Sequence, residues 1–259
     1  MSNQALVFFD IDGTLLDHEK NLPQSTKKAI AQLQVAGHIT AIATGRGPFM
    51  YVPLRDELKI KSFVSFNGSY VVIDDEVVFT NPLHEEKLLE LTTEGLEKDQ
   101  PAVLMTAEAM HSNVEKHPFI NDSLATLKLD VAPSFDPKFN QAQKLYQTLF
   151  FIEEENEQYY REKYPEFEFI RWHPFSVDVI PRDGSKAKGI EAAVKALNID
   201  PENVYAFGDG LNDVEMLKAV KNSVAMGNAV PEAKKVAKYV TEDVDQDGIL
   251  HGLKMVGLL

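Results

Sequence analysis

The run Leu6-Val7-Phe8-Phe9-Asp10-Ile11-Asp12-Gly13-Thr14-Leu15 constrains this chain more than any other. Five apolar residues, Ala5 to Phe9, carry the pattern of a short buried strand. Two carboxylates follow at alternate positions, and Gly13-Thr14 ends the extended pattern. Residues two apart at a strand's end point the same way, so Asp10 and Asp12 can approach one reacting group together. Close carboxylates repel unless a cation or a shared proton offsets the charge. The arrangement suits a magnesium site in which one aspartate attacks phosphorus and the other handles the proton. The same residues also compose an ordinary strand closed by an Asp-Gly turn, and this run alone leaves both readings open.

The pattern beyond it alternates strands and helices. Pro23 to Ala36 places Ala29, Ile30, Leu33 and Ala36 at helical spacing, with Gly37 where a C-terminal cap is expected. Ile39 to Ala43 reads as a second strand, Pro48 to Leu58 as a helix, and Ser62 to Phe66 as a third strand before Asn67-Gly68. Val71 to Ile73 and Val77 to Phe79 form a hairpin pattern around Asp74-Asp75. Strand-helix-strand succession of this kind predicts a parallel sheet with helical crossovers. From about Leu83 to Pro181 the rhythm changes. Short strands fall at Val103 to Thr106, Leu149 to Ile152, Phe167 to Trp172 and Ser176 to Ile180, with an acidic helix over Glu153 to Lys163. This segment reads as a separate α+β domain inserted into the first, its many aromatics forming its core. The alternation then resumes: helix Lys186 to Leu197, strand Val204 to Phe207, helix Val214 to Val220, strand Ser223 to Met226, helix Pro231 to Ala237.

Composition removes several function classes. A net charge of −14 argues against a broad nucleic-acid or anionic-membrane surface, although a cleft can still be locally positive. The absence of cysteine rules out disulfides, thiolate nucleophiles and cysteine metal sites. Seven histidines show no His-x-x-x-His pair that would mark a zinc site. No apolar stretch approaches the roughly 20 residues of a membrane span, and the N-terminal residues lack the pattern of a signal segment. The expectation is a soluble, cytoplasmic protein.

Four segments share one address, the loop beyond the C-terminal end of a parallel strand, where open α/β sheets bind ligands. The first is Asp10 to Thr14. The second is Thr44-Gly45-Arg46, whose hydroxyl and amide can hold a phosphate oxygen, although Thr-Gly is also common turn chemistry. The third is Lys186 in Asp183-Gly184-Ser185-Lys186, a lysine that could stabilise a transferring phosphoryl group or could simply be solvated. Its neighbour Lys188 is a competing candidate. The fourth, Gly208-Asp209-Gly210-Leu211-Asn212-Asp213, adds two carboxylates beside glycines that permit close backbone approach. Hard oxygen ligands of this kind suit magnesium.

In this order and context the four segments resemble the motifs of the haloacid-dehalogenase-like phosphatases, specifically the Cof-type group with the type IIB α/β cap. Asp10-Ile11-Asp12-Gly13-Thr14 matches the first motif, Thr44-Gly45-Arg46 the second, Lys186 the third and Gly208 to Asp213 the fourth. Asn67-Gly68 also resembles a pair found after the third core strand of that group. The resemblance spans essentially the whole chain. It implies an α/β fold, with a Rossmann-like parallel-sheet core over 1–82 and 182–259 and an inserted α+β cap over 83–181.

The resemblance also implies roles. Asp10 would be the nucleophile and Asp12 the general acid and base. Mg2+ would be held by the carboxylates of Asp10 and Asp209 and the backbone carbonyl of Asp12, with Asp213 orienting from behind. Ile11, Thr44, Gly45, Lys186 and Asn212 would hold the phosphoryl oxygens. Arg46, Asn67, Trp172, His173 and Arg182 are candidates for substrate contact, while Trp172 also suits a cap core and His173 a turn before Pro174. Asp17 and Asp183 read as surface or turn residues. The expected activity is hydrolysis of small phosphate monoesters, sugar phosphates or nucleotide and cofactor phosphates, through an aspartyl-phosphate. The alternatives are a phosphomutase on the same core and a non-catalytic phosphate-binding or regulatory protein. The expected partner is a small-molecule phosphate ester, with neither nucleic acid nor membrane.

Overall fold

Leu6–Phe9 form the first strand, β1, with all four side chains buried. It belongs to a computed structural model that describes residues 4–127, 131–139 and 143–259. The chain divides into two units. One comprises the N-terminal segment to Gly45, Pro53–Phe79 and Ser185–Leu259; the other comprises Arg46–Val52 and Thr80–Gly184. After β1 come α1 (Gln24–Val35), β2 (Ile39–Ala43), α2 (Val52–Leu58), β3 (Ser62–Ser65), β4 (Tyr70–Ile73) and β5 (Glu76–Thr80). Next are α3 (Glu85–Glu97), β6 (Ala102–Met105), β7 (Met110–Ser112), α4 (Pro118–Thr126), β8 (Ser134–Phe135), β9 (Gln147–Phe150), α5 (Glu154–Lys163), β10 (Phe167–His173) and β11 (Ser176–Pro181). The chain closes with α6 (Lys186–Leu197), β12 (Val204–Gly208), α7 (Val214–Ala219), β13 (Asn222–Ala225), α8 (Pro231–Val236), β14 (Tyr239–Val240) and α9 (Gly248–Met255).

Among the described residues the first sheet has the order β14-β13-β12-β1-β2-β3-β4-β5. Neighbours are parallel from β14 through β3, and β4 turns antiparallel to β3. This is the α/β class, with a parallel sheet and helical crossovers. The crossover α1 buries Thr26, Ala29, Ile30 and Leu33. It ends as its sequence asks: Gly37 takes φ +86, and His38 N–H donates to the Leu33 carbonyl while Gly37 N–H donates to that of Gln34. Two bonds of that register close a helix over a left-handed residue, a position that suits glycine. The β4–β5 turn also follows its residues, since Asp74 and Asp75 adopt φ +48 and +66, the twist a two-residue hairpin requires.

Two expectations are corrected. The helix over Pro48 to Leu58 is broken into a single 3-10 turn, Pro48–Met50, and α2, with Tyr51 at φ −137 between them. Pro53 is the cause: its ring would clash with the carbonyl four residues back, but it costs nothing in a helix's first turn. The strand over Ser62 to Phe66 ends at Ser65, because Phe66 already has φ +50.

In the second unit the described residues form a sheet of order β10-β11-β9-β6-β7-β8. Phe167, Phe169, Val177, Val179, Phe150, Ala102 and Leu104 cluster with Leu88 and Leu91 of α3 and with Tyr160 of α5. These two helices therefore cover one face of that sheet. Trp172 and Phe175 stand outside this cluster, and Tyr159 is 45% exposed. Among the described residues no helix is long and apolar enough to cross a membrane.

Candidate active site

Three carboxylates and one ammonium converge where the order of the first sheet reverses. Strand β1 lies between β12 and β2, so the chain winds outward in opposite directions on its two sides. Such a switch point is where open α/β sheets form their binding crevice. Asp10 follows β1 and Asp209 follows β12, and the Asp10 N–H donates to the Phe207 carbonyl at 3.0 Å. One carboxylate oxygen from each of Asp10, Asp209 and Asp213 lies within 4.8 Å of the others. Lys186 Nζ donates to Asp10 Oδ1 and to Asp213 Oδ1, each at 2.6 Å.

Local chemistry sets these positions. Asp213 is fully buried, and its Oδ2 accepts the N–H groups of Asp209 and Gly210, both at 2.9 Å. Its two oxygens thus clasp the turn and anchor the lysine. Thr14 Oγ1 donates to Asp209 Oδ1 at 2.9 Å. Gly13 has φ +81, and a Cβ there would lie 2.3 Å from Asp209 Oδ2, so the backbone must come bare to that carboxylate. Asn228 donates to the Gly13 carbonyl at 2.8 Å and accepts the Val244 N–H at 2.9 Å.

Lys186 is buried because α6 begins against an unusual turn. Phe66, Asn67 and Gly68 all have positive φ, at +50, +49 and +99. A Cβ on Gly68 would sit 1.9 Å from the Ser185 carbonyl oxygen. Ser185 caps α6, its hydroxyl accepting the Lys188 N–H. A lysine in the first turn of that helix is thereby held in the interior, where it persists only because it is paired.

Burial, then Asp213, pushes the Asp10 carboxyl well above the usual range against the pull of Lys186; Asp209 and Asp12 add to the rise. Burial and Asp213 push the Asp209 carboxyl up to about 6, opposed by the Thr14 hydroxyl and by Lys186. Burial alone would lower the lysine, but Asp10 and Asp213 overcome it and raise its pKa. One ammonium therefore leaves excess negative charge among three carboxylates. An all-oxygen donor set with uncompensated charge fits a hard divalent cation such as Mg2+.

The other sequence candidates fall into distinct places. Asp12 is 38% exposed at its side chain, and Lys20 Nζ approaches its Oδ1 at 2.5 Å. Thr44 is buried at the end of β2; its N–H donates to the Val64 carbonyl, and its carbonyl accepts the Asn67 N–H. Asn67 is buried against Gly45, where a Cβ would lie 3.1 Å from its amide, and its Oδ1 has no hydrogen-bond partner. Ile11 is buried, and Asn212 is exposed on the turn that carries Asp213. Arg46, Trp172, His173 and Arg182 belong to the second unit. There His173 Nδ1 accepts the Phe175 N–H at 3.2 Å and meets Ser123 Oγ at 2.9 Å. Arg182 donates to the Pro165 carbonyl at 3.1 Å. Asp17 holds a turn, accepting the N–H groups of Glu19 and Asn21, while Asp183 and Lys188 are exposed.

Sequence reasoning missed Thr14 as the orienter of Asp209, and also Asn228 and Lys20. Asn228 carried a usable signal, since Gly227-Asn228 also follows a parallel strand. Lys20 carried none, because its pairing depends on a turn.

The haloacid dehalogenase-like hydrolase family model matches residues 7–253. The protein YkrA of Bacillus subtilis (strain 168), which bears a phosphatase name, is 45% identical over 257 residues, covering 99% of each chain. A hypothetical protein of Geobacillus kaustophilus HTA426 has a solved structure that superposes with TM-score 0.94 at 50% identity, over 99% of this chain and 100% of that one. The subclass IIB sugar phosphatase BT4131 superposes with TM-score 0.87 at 29% identity, over 99% of this chain and 100% of that one. The chain belongs to the haloacid dehalogenase-like hydrolases, in the Cof-type group of phosphatases with a subclass IIB cap, and so to the phosphoric monoester hydrolases.

Proposed function

We propose that the protein is a magnesium-dependent phosphatase of small phosphate monoesters that works through an aspartyl-phosphate on Asp10. The observation that carries this reading is the joint hold of Lys186 on Asp10 and Asp213. It fixes one Asp10 oxygen and leaves the carboxylate close to that of Asp209, where one ammonium does not offset the negative charge. When bound, Mg2+ supplies positive charge that offsets the carboxylates and polarises the phosphoryl group.

Asp10 attacks phosphorus, forming an acyl-phosphate bond as the P–O bond to the alcohol breaks. Asp12 gives its proton to the departing oxygen. It then takes a proton from water, whose oxygen attacks the aspartyl-phosphate, releasing phosphate and regenerating Asp10. Thr44, Gly45 N–H, Lys186, Asn212 and Ile11 N–H hold the phosphoryl oxygens and lower the cost of charge developing on them. Asp213 keeps Lys186 in place. The second unit acts as the cap that excludes water and selects the alcohol.

The small-monoester class is supported by relatives at similar distance. BT4131 is described as a sugar phosphatase at 29% identity. YcsE of Bacillus subtilis (strain 168), 28% identical, is named 5-amino-6-(5-phospho-D-ribitylamino)uracil phosphatase. The net charge of −14 favours a small-molecule ester over nucleic acid or an anionic membrane as the partner. The test is hydrolysis of p-nitrophenyl phosphate with and without magnesium, comparing wild type, Asp10→Asn and Asp12→Asn. Magnesium-dependent turnover lost in both variants supports the reading. Turnover unaffected by Asp10→Asn would sink it.

A further inference from the structure

The outermost strand of the first sheet, β5, is open on its far side. Its neighbour β4 is buried on both faces, since Val71, Val72 and Ile73 are consecutive and all buried, and α6 packs on β3 and β4. One strand further out, Val77, Val78 and Phe79 are 52%, 40% and 37% exposed. Successive side chains of a strand point to opposite faces, so β5 presents apolar surface to solvent on both. Sheet edges are usually blunted by short strands, lysine or proline. The opposite edge of this sheet follows that rule, because β14 has two residues and Lys238 precedes it. Strand β5 does not: Glu76-Val77-Val78-Phe79-Thr80 has five residues, one charge and neither lysine nor proline.

The turn before β5 decides which backbone groups are free. Asp74 and Asp75 make a two-residue turn between β4 and β5, so Ile73 and Glu76 beside it form a hydrogen-bonded pair. Direction alternates along a strand. The N–H and C=O groups of Glu76, Val78 and Thr80 therefore turn toward β4, and those of Val77 and Phe79 turn outward. The Asp74 N–H agrees with this alternation, donating on the β3 side to Ser62 Oγ at 3.1 Å. Among the described residues no backbone bond reaches the outward groups of Val77 or Phe79.

We propose that β5 pairs antiparallel with β5 of a second copy of this chain, about a twofold axis at Val78, so that two sheets join into one. A twofold contact must be complementary to itself, and this register is. Val77 meets Phe79 of the other copy on each side of the axis, both through outward groups, which supplies two hydrogen-bonded pairs. Val78 meets its own equivalent as a non-hydrogen-bonded pair. Glu76 meets Thr80, and the same register carried outward sets Asp75 against Asn81 and Asp74 against Pro82. No carboxylate opposes another, a condition most self-contacts of a chain with net charge −14 would fail. A slip of one residue sets outward groups against inward ones, and a slip of two leaves only three residues of each strand overlapping.

The contact is weak by size. Five residues a side fall short of the roughly 20–30 of a standard interface, so a dissociation constant of about 10–100 µM is expected. The test is sedimentation equilibrium of the full chain over concentrations that bracket that range, where the average mass should rise toward twice the monomer. Val78→Lys sets two ammonium groups against each other on the axis. It should weaken association by at least about tenfold and leave Tm and p-nitrophenyl phosphate turnover unchanged. The chain has no cysteine, so Val78→Cys supplies a single thiol. Cα atoms of a non-hydrogen-bonded pair lie about 4.5 Å apart, within disulfide reach, so mild oxidation should link this variant into covalent dimers. Val35→Cys is the control for random collision, since Val35 on α1 is 91% exposed, and it should stay unlinked. A wild type that remains monomeric throughout overturns the proposal and leaves the edge to a strand of some other protein. A dimer that Val78→Lys does not weaken also overturns it, as does linkage no faster at position 78 than at position 35.

Discussion

Lys20 Nζ lies 2.5 Å from Asp12 Oδ1, and the intervening chain is folded to bring it there. Lys20 has φ +67, its N–H donates to the Asp17 carbonyl, and the Asp17 carboxylate accepts Glu19 and Asn21 N–H at 2.9 and 2.8 Å. The proposed acid and base thus has a fixed counter-charge. Both partners are partly exposed, at 29% and 38%, so the pair is worth about 1 kcal/mol at most. Lys20→Met is expected to lower kcat about fivefold with little change in KM, and Lys20→Arg to recover part of the loss. Steady-state kinetics on p-nitrophenyl phosphate reads this, and a change confined to KM would contradict it.

Removing Lys186 should do more than stop turnover. Lys186→Met leaves Asp10 and Asp213 buried, with the half-buried Asp209 beside them, without a cation. Breaking a buried pair of this kind costs about 3–5 kcal/mol, so Tm should fall by roughly 6–20 °C and kcat by more than about a thousandfold. Thermal melts recorded with and without magnesium would show partial recovery with the metal.

Magnesium itself should stabilise the wild type. At a hundredfold excess over its dissociation constant, a bound ion contributes about 2.7 kcal/mol, roughly 5–11 °C in Tm for a chain of this size. Asp209→Asn should abolish most of that shift. An undiminished shift in the variant would place the ion elsewhere.

Gly68 is expected to tolerate no side chain. Gly68→Ala combines φ +99 with a Cβ placed 1.9 Å from the Ser185 carbonyl, and the chain must move at the start of α6. A loss of at least about 2 kcal/mol in urea denaturation is expected, with a fall in kcat because Lys186 moves with the helix. Gly37→Ala is the control: it also has positive φ, at +86, but meets nothing within 4 Å, so it should cost stability and spare turnover.

Asp178 gives a pH dependence of unusual sign. Its folded pKa, about 7, lies above the ordinary 3.8, so between these values the native state holds a proton that the unfolded chain has released. Stability contributed by this group is therefore full below about pH 4 and is lost as pH rises to about 7. The groups that bear on it, Trp172 and Gln147, carry no charge. Asp178→Asn should raise Tm relative to wild type at pH 8 by a few degrees, the gap closing as pH falls toward 4. A gap that widens in acid would contradict the assignment.

The features legible in the sequence are those written locally. Asp10 to Thr14, the Gly37 cap and the Asp74-Asp75 hairpin each state their geometry within a few residues. Helix α3 is harder to see, because its buried stripe mixes Leu88 and Leu91 with Thr92 and Gly95. Helix α9 is hidden by two of its own residues. Gly248 and Gly252 read as breakers, yet a Cβ on Gly252 would lie 2.5 Å from the Phe207 ring, so close approach is their purpose. Lys20, Asn228 and Asp178 are single polar residues whose partners are set by a turn, a distant loop and a strand register. None of those is visible to a pattern of spacing.

The pairing of β1 with β12, Leu6 against Val204, has a consequence for how the chain is made. Strand β1 has its place in the middle of the sheet, but β12, one of its two neighbours, is synthesised only after all the residues between Phe9 and Val204. At about 5–20 residues per second, that wait is on the order of ten to forty seconds. Throughout it the nascent chain presents an apolar strand edge with Asp10 at its tip, and every residue of the second sheet is synthesised before the wait ends. Birth order and spatial order are thus inverted. The proposed catalytic cluster can close only once Asp209 and Asp213 have been made, so chains truncated before that point are expected to lack the activity.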